Sequence, residues 1–452
     1  MKHASSRAPD LLHGPVFSNM TRFFLPIMLG SLLQQLYSMV DAVVLGRLVG
    51  KTALAAVGGS DLAIINLVVG FFVGLASGAC VVVSQHYGAG EDGAVRRAVH
   101  TAILFSVVIG AVMTALGIGL ARPILVLLDP PADTLEDSIV YLQWYFAGMI
   151  PSMVYNMGAG ILRAVGDSKR PLYFLIVCAL ANTALDLLFV AGFRLGTAGA
   201  AIATSLSQLI CAGLVVWTLA RIPGACRLQL SELRFDRALL GRITAIGLPA
   251  GLASVMYSAA NVIIQKAINL LGTDAAAAWS IFWKLDGIYW PVSNAIGITV
   301  MTFTGQNYGA RQPERVSRGL GQGVLVSLLL TAALCLCQLF GRRLIAGAFK
   351  LDEAAAAICD QHLLASALTM PIFAIYFPAN GMFQGVGEGF FATFCALLAL
   401  GLRVVFAYCL YQTARFGYTA IWWSQAMAWT AALLTCYTHF FRGGWKKKNL
   451  VR

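Results

Sequence analysis

The chain has 452 residues, 59% of them hydrophobic and 12% charged, against ~45 to 50% and ~25% in an ordinary soluble domain. That composition excludes a water-soluble enzyme, and 45 glycines in so apolar a chain fit membrane helices, which tolerate glycine better than soluble helices do. The net charge of +12 would point to nucleic acid in a soluble protein; here the basic residues alternate along the chain as topology signals, and no nucleic-acid partner is expected.

Twelve apolar stretches reach the ~20 helical residues needed to cross ~30 Å of hydrocarbon. They run over 20–47, 53–83, 98–121, 138–162, 171–193, 197–220, 243–269, 275–303, 319–341, 358–386, 389–413 and 417–441. The expected fold is an all-α membrane protein of twelve transmembrane helices, with function inside the bundle because almost nothing remains for a soluble domain. If the N-terminus is cytoplasmic, 21 of the 32 Lys and Arg residues fall on the inner side, which by the positive-inside rule places both termini in the cytoplasm. No cleavable leader is expected, since the first apolar stretch is too long and lacks a small-residue cleavage pattern.

The first span carries Pro26, Gln34, Tyr37 and Asp41. Pro26 lacks a backbone donor and is the expected hinge, while Gln34, Tyr37 and Asp41 share one helical stripe. Just beyond, Gly46, Gly50, Lys51 and Thr52 imitate a phosphate-binding loop but leave three residues where four are required, so ATP binding is not expected. Gly70, Gly74 and Gly78, and later Gly381, Gly385 and Gly389, recur every fourth residue and predict close helix contacts. In the fifth span Asn182 stands one turn before Asp186. Counted from the outer charges Arg47 and Arg194, Asp41 and Asp186 lie roughly 9 and 12 Å inward, and Thr204 of the sixth span about 15 Å. An acid near the bilayer centre costs ~2.5 to 3.5 kcal/mol, so these residues are read as an oxygen-rich pocket for a proton or Na⁺. A satisfied structural pair is the alternative reading.

The chain then repeats itself. Gln85, Tyr87, Gly88 and Ala89 match Gln306, Tyr308, Gly309 and Ala310, and Gly160, Gly166 and Asp167 match Gly381, Gly387 and Glu388, all 221 residues apart; Pro26 pairs with Pro249 and Tyr37 with Tyr257 in slightly slipped register. Six spans per copy make this a parallel repeat. The expected organisation is an N-lobe over 1–222, a cytoplasmic linker over 223–242, a C-lobe over 243–441 and a basic tail over 442–452, whose Lys446 to Lys448 suit anionic lipid. Asn261 stands where the first copy has Asp41, so coupling is expected to be asymmetric. Lys284 and Asp286 in the eighth span are two residues apart and face differently; each is a candidate cavity residue, with packing as the equal alternative. Trp283, Tyr289 and Trp290 either line a route for flat organic cations or form aromatic core. The ten cysteines and six histidines show neither disulfide nor metal spacing, and no nucleophile faces a base. No enzyme activity, resident cofactor or obligate protein partner is expected.

Twelve spans in two halves, Pro26 and Asp41 in the first span, the stretch Asn156 through Gly160, Leu162, Arg163, Ala164, Gly166 and Asp167 to Pro171, and the Asn182 and Asp186 pair together resemble the multidrug and toxic compound extrusion (MATE) family over nearly the whole chain. The resemblance implies a cation-coupled antiporter that exports drugs or other small organic compounds, some cationic, across a prokaryotic plasma membrane. It implies an N-lobe ion site of Asp41, Asn182, Asp186 and Thr204, with Gln34, Tyr37 and Asn156 as neighbours. Tyr257 stands where one branch carries a glutamate, so the chain is more similar to the DNA-damage-inducible branch; H⁺ and Na⁺ both stay open as the coupling ion. A lipid-linked oligosaccharide flippase and a non-transporting receptor or scaffold are the rival readings.

Overall fold

A computed structural model describes residues 9–50, 60–128, 134–269, 272–348, 353–411 and 419–447. Lys51 and Thr52 of the imitation phosphate loop, the start of the second apolar stretch and Lys448 of the basic tail lie outside the described residues. Among those residues there are thirteen α-helices: α1 (Val16–Leu48), α2 (Ser60–Gly88), α3 (Asp92–Leu128), α4 (Leu135–Ala147), α5 (Met149–Ala164), α6 (Lys169–Asp186), α7 (Gly196–Arg221), α8 (Arg237–Asn269), α9 (Thr273–Gly309), α10 (Pro313–Ala348), α11 (Glu353–Gly385), α12 (Gly389–Tyr411) and α13 (Ala420–Arg442). Nine of these segments are long and apolar enough to cross a membrane. The protein is a multi-pass helical membrane protein.

The fourth expected span is two helices, and the break has a local cause. Pro151 lacks the N–H that would bond the carbonyl of Ala147, and Gly148 bends back so that its own N–H meets the carbonyl of Tyr145 at 3.1 Å. Hydroxyls from neighbouring helices serve two carbonyls at the break: Ser205 Oγ donates to that of Trp144 at 2.8 Å, and Thr114 Oγ1 to that of Phe146 at 2.9 Å. A second irregularity follows α6, where the chain winds into a π-helical turn over Leu187–Gly192 directly after Asp186. Such turns insert a residue into the helix and often mark working sites.

The chain forms two compact units. Unit 1 holds Met1–Asp10 and Leu25–Gly251; unit 2 holds Leu11–Phe24 and Leu252–Arg452. The division falls inside α1, one residue before Pro26, and inside α8, two residues after Pro249. Unit 1 is built around Leu45, Phe72, Leu125, Leu142, Phe146 and Met149, each nearly or fully buried. Here Gly74 and Gly78 of α2 approach Gly251 and Gly247 in the first half of α8. The segment between α7 and α8 is tied to α3: Arg96 pairs with Glu232 at 2.7 Å, Arg97 with Asp236 at 3.0 Å, and His100 meets the backbone of Gln229.

In unit 2 the N-terminal segment is held by Asn307 Nδ2, which donates to the carbonyl of Leu11 at 3.1 Å, and by Arg315, which donates to that of Gly14 at 3.0 Å. The repeat is visible in how helices meet. Gly160 of α5 faces the carbonyl of Ala76 on α2, and 221 residues on, Gly381 of α11 faces the carbonyl of Gly297 on α9.

Candidate functional site

In unit 1, α1 and α6 bring Asp41 and Asp186 together. Their carboxyl groups come within the range at which one shared proton would join them. Without that proton each offers only acceptors. Oδ1 of Asp41, both oxygens of Asp186 and both amide atoms of Asn182 are buried with no hydrogen-bonding partner, although Asp186 and Asn182 are each 1% exposed. Buried polar groups are nearly always partnered, so these five atoms on two helices are the candidate contacts for a bound cation. Among the described residues, no basic side chain acts on either carboxyl. A set of hard oxygens with net negative charge and no cation of its own fits H⁺ or Na⁺.

Tyr37 lies close enough to Asp41 to interact with it electrostatically, as does Tyr141 of α4; Tyr145, stacked on Tyr141 at 6.4 Å, acts on both tyrosines. Thr204 is half-buried on α7, its carbonyl accepting from Ser207 Oγ at 2.8 Å. Asn156 is half-buried on α5 and spends an amide N–H on the carbonyl of Ser152, 2.8 Å away. Gln34 is exposed on α1, and its backbone carbonyl accepts from Ser38. The residues brought together are thus Asp41, Asp186 and Tyr37, with Asn182 one turn below Asp186. Asn156 and Gln34 show no bond to the pair, and Pro26 is buried fifteen residues before Asp41 on α1.

Sequence reasoning passed over Tyr141, Tyr145 and Asp61. Asp61, in the first turn of α2, is fully buried beside Ser138 and also acts on Tyr141. The signal was available: Ser138, Tyr141 and Tyr145 lie on one face of α4, three and four residues apart.

Unit 2 is organised differently. Asp286 of α9 is buried and accepts a hydrogen bond from Trp290 Nε1 at 2.5 Å, whereas Lys284 is exposed. Trp290 lies among Tyr257, Phe373 and Phe377, with ring centroids 5.2, 5.1 and 6.4 Å away, and Tyr289 meets Phe373 at 6.1 Å. Tyr289 and Phe373 are buried, and Trp290, Tyr257 and Phe377 are half-buried. Arg403 of α12 is 6% exposed. It donates to Asn261 Oδ1 at 3.0 Å and interacts electrostatically with Asp286. The charge count by topology leaves Arg403 among the outer basic residues, yet it sits well inside its apolar stretch, where an ionisable residue signals a buried partner.

The family model described as MatE matches residues 26–188 and again 249–409, one copy in each half. Among curated proteins, the chain is 24% identical over 445 residues to the probable multidrug resistance protein YoeA of Bacillus subtilis (strain 168), covering 97% of this chain and 96% of that one. It is 28% identical over 392 residues to the probable multidrug resistance protein YpnP of the same organism, covering 84% and 85%. Among solved structures, an outward-facing multidrug resistance MATE family transporter of the MOP superfamily superposes with a TM-score of 0.90 at 21% identity, covering 99% of this chain and all of that one. At that identity the superposition speaks for the fold alone.

Proposed function

Because the chain belongs to the MATE family of multidrug efflux transporters, we propose that it is a cation-coupled antiporter that exports small organic compounds across a prokaryotic plasma membrane by alternating access. The observation that carries this reading is the facing pair of half-buried Asp41 and buried Asp186, with orphaned oxygens and, among the described residues, no basic side chain acting on either. Two bare carboxylates ~4 Å apart repel by about 4 kcal/mol at an effective dielectric of ~20. One H⁺ or Na⁺ removes that repulsion, so a cation favours the state that closes the pair by up to about a thousandfold. A substrate that needs the carboxylates bare favours the other state, and competition for one site is sufficient for antiport.

The moving part in this reading is α1. Pro26 withholds the hydrogen bond that would reach the carbonyl of Arg22, and the helix passes from unit 2 to unit 1 one residue earlier. Bending there carries Tyr37 and Asp41 toward or away from α6. Both termini are cytoplasmic, and the tail basic residues Lys446 and Lys447 contact anionic lipid.

The test is dye export from proteoliposomes with an imposed pH or Na⁺ gradient. Wild-type protein exports in response to one of the gradients, and Asp41→Asn and Asp186→Asn each abolish the response. Undiminished gradient-driven export by both variants would rule the carboxylate pair out.

A further inference from the structure

Unit 1 and unit 2 answer the same electrostatic problem in different ways. The repeated family segments end at 188 and 409, which pairs Asn182 with Arg403 and Asp186 with Ala407. Register on the first helix of each copy, set by Tyr37 and Tyr257, pairs Asp41 with Asn261. Where the unit 1 pair has two carboxylates, an amide and, among the described residues, no basic side chain acting on them, unit 2 has an amide, a guanidinium and a buried carboxylate nearby. Arg403 grips Asn261, the partner of Asp41's position, at 3.0 Å, and its charge acts on Asp286, which is 5% exposed. The groups acting on Asp286 are Arg403 from α12, Tyr257 from α8 and, on its own helix, Trp290 and Tyr289; His362 of α11 also feels Arg403.

We propose that Arg403 is a tethered equivalent of the exchangeable cation: its guanidinium permanently occupies in unit 2 the place that a free cation must fill in unit 1. The inference deepens the antiport reading and relies on it for what unit 1 binds. A guanidinium does not lose its proton in a protein, and one attached to α12 does not diffuse away. The positive charge that Arg403 supplies to unit 2 is therefore constant through the cycle, and the exchange of a cation is left to unit 1. Two copies of one ancestral lobe would otherwise bring two cation sites. Arg403 limits the coupling to one.

If so, deleting the guanidinium should turn unit 2 into a cation site, because Asp286 and the Asn261 carbonyl oxygen then lack their positive charge. The experiment uses purified full-length protein carrying Asp41→Asn and Asp186→Asn, so that unit 1 is silent, and reads melting temperature in detergent. Salt is varied from 1 to 300 mM NaCl with choline chloride holding ionic strength, at pH 8 and pH 5.5. The parent gives the baseline. Adding Arg403→Gln should lower the melting temperature at pH 8 in choline and restore it by roughly 3 to 6 °C with Na⁺ or with acid. Adding Asp286→Asn to that protein should erase the dependence, and Arg403→Lys should behave like the parent. Equal melting of Arg403→Gln and its parent under every condition overturns the proposal, as does a dependence that survives Asp286→Asn. Failure of Arg403→Gln to fold under any of these conditions also overturns it, because no small cation then replaces the side chain. Comparing wild type with the parent tests the unit 1 reading separately, so either can fail alone.

Discussion

The repeat-related glycines Gly160 and Gly381 should respond in opposite ways to the same substitution. A Cβ on Gly381 would lie 2.7 Å from the carbonyl oxygen of Gly297 and 3.4 Å from its carbonyl carbon and Cα. Ordinary contact begins near 3.4 Å, so α9 and α11 would have to part locally by about 0.7 Å. The obstructing atoms are main chain and have no rotamer to escape into. Overpacking of this kind costs ~1 to 3 kcal/mol, against ~1 kcal/mol gained when alanine replaces a helical glycine. Gly381→Ala should therefore be destabilising by ~0 to 2 kcal/mol. At Gly160 the new Cβ would meet the Ala76 carbonyl oxygen at 3.4 Å and Cys80 Cβ at 3.9 Å, so the alanine gain of ~1 kcal/mol is kept. The two variants should differ by about 1 to 3 kcal/mol. In a chain longer than the 150 to 250 residues for which 1 kcal/mol shifts melting by ~2 to 4 °C, each kcal/mol moves it by ~1 to 2 °C. Thermal unfolding of the detergent-solubilised variants should place Gly381→Ala roughly 1 to 6 °C below Gly160→Ala. If Gly381→Ala melts at or above its counterpart, the contact between α9 and α11 is looser than these distances imply.

Two further outcomes follow from the surface of unit 1. Asp236 caps α8, its Oδ1 accepting from the N–H groups of Leu239 and Ala238 at 3.1 Å each while Arg97 donates to Oδ2. The Leu239 bond foremost, then the Arg97 and Ala238 bonds, hold its carboxyl below the usual range. Because the folded value is the lower one, this stabilisation is complete above about pH 4, the unfolded value, and is lost as pH falls through the folded value. Asp236→Ala should raise hydrogen exchange in the first turn of α8 by roughly 2- to 30-fold at pH 7, equivalent to a cap of ~0.5 to 2 kcal/mol. That difference should shrink below pH 4, and an unchanged ratio would count against the cap. By contrast, Arg122 and Glu136 pair at 2.6 Å with side chains 59% and 68% exposed, so Arg122→Ala should change stability by less than ~1 kcal/mol. A larger loss in the same melting assay would show that the pair does more than its exposure allows.

Much of this architecture was legible because a bilayer imposes one length and one polarity on every span. Asp41 and Asp186 stood out for the same reason, being acids in stretches that otherwise carry none. Other features depended on contacts that periodicity does not encode. The stretch 138–162 reads as one apolar span; only Pro151 hints at the break, and the hydroxyls of Ser205 and Thr114 that reach the carbonyls of Trp144 and Phe146 come from helices distant in sequence. The π-helical turn after Asp186 has no compositional mark. Arg403 was visible as a charge but not as a partner, because Asn261 and Asp286 lie 142 and 117 residues away in the chain. The shared face of Ser138, Tyr141 and Tyr145 could be read from spacing, but the nearness of both tyrosines to Tyr37 of α1 could not.

The polypeptide changes unit three times, near Asp10, at Phe24 and at Gly251. Two of these crossings are made by unbroken helical rods, α1 and α8, rather than by slack connecting chain. A nick in the segment 222–236 would consequently not yield two independent pieces: each fragment would still own a helix shared between both assemblies. Co-expressed fragments should find one another through those shared helices.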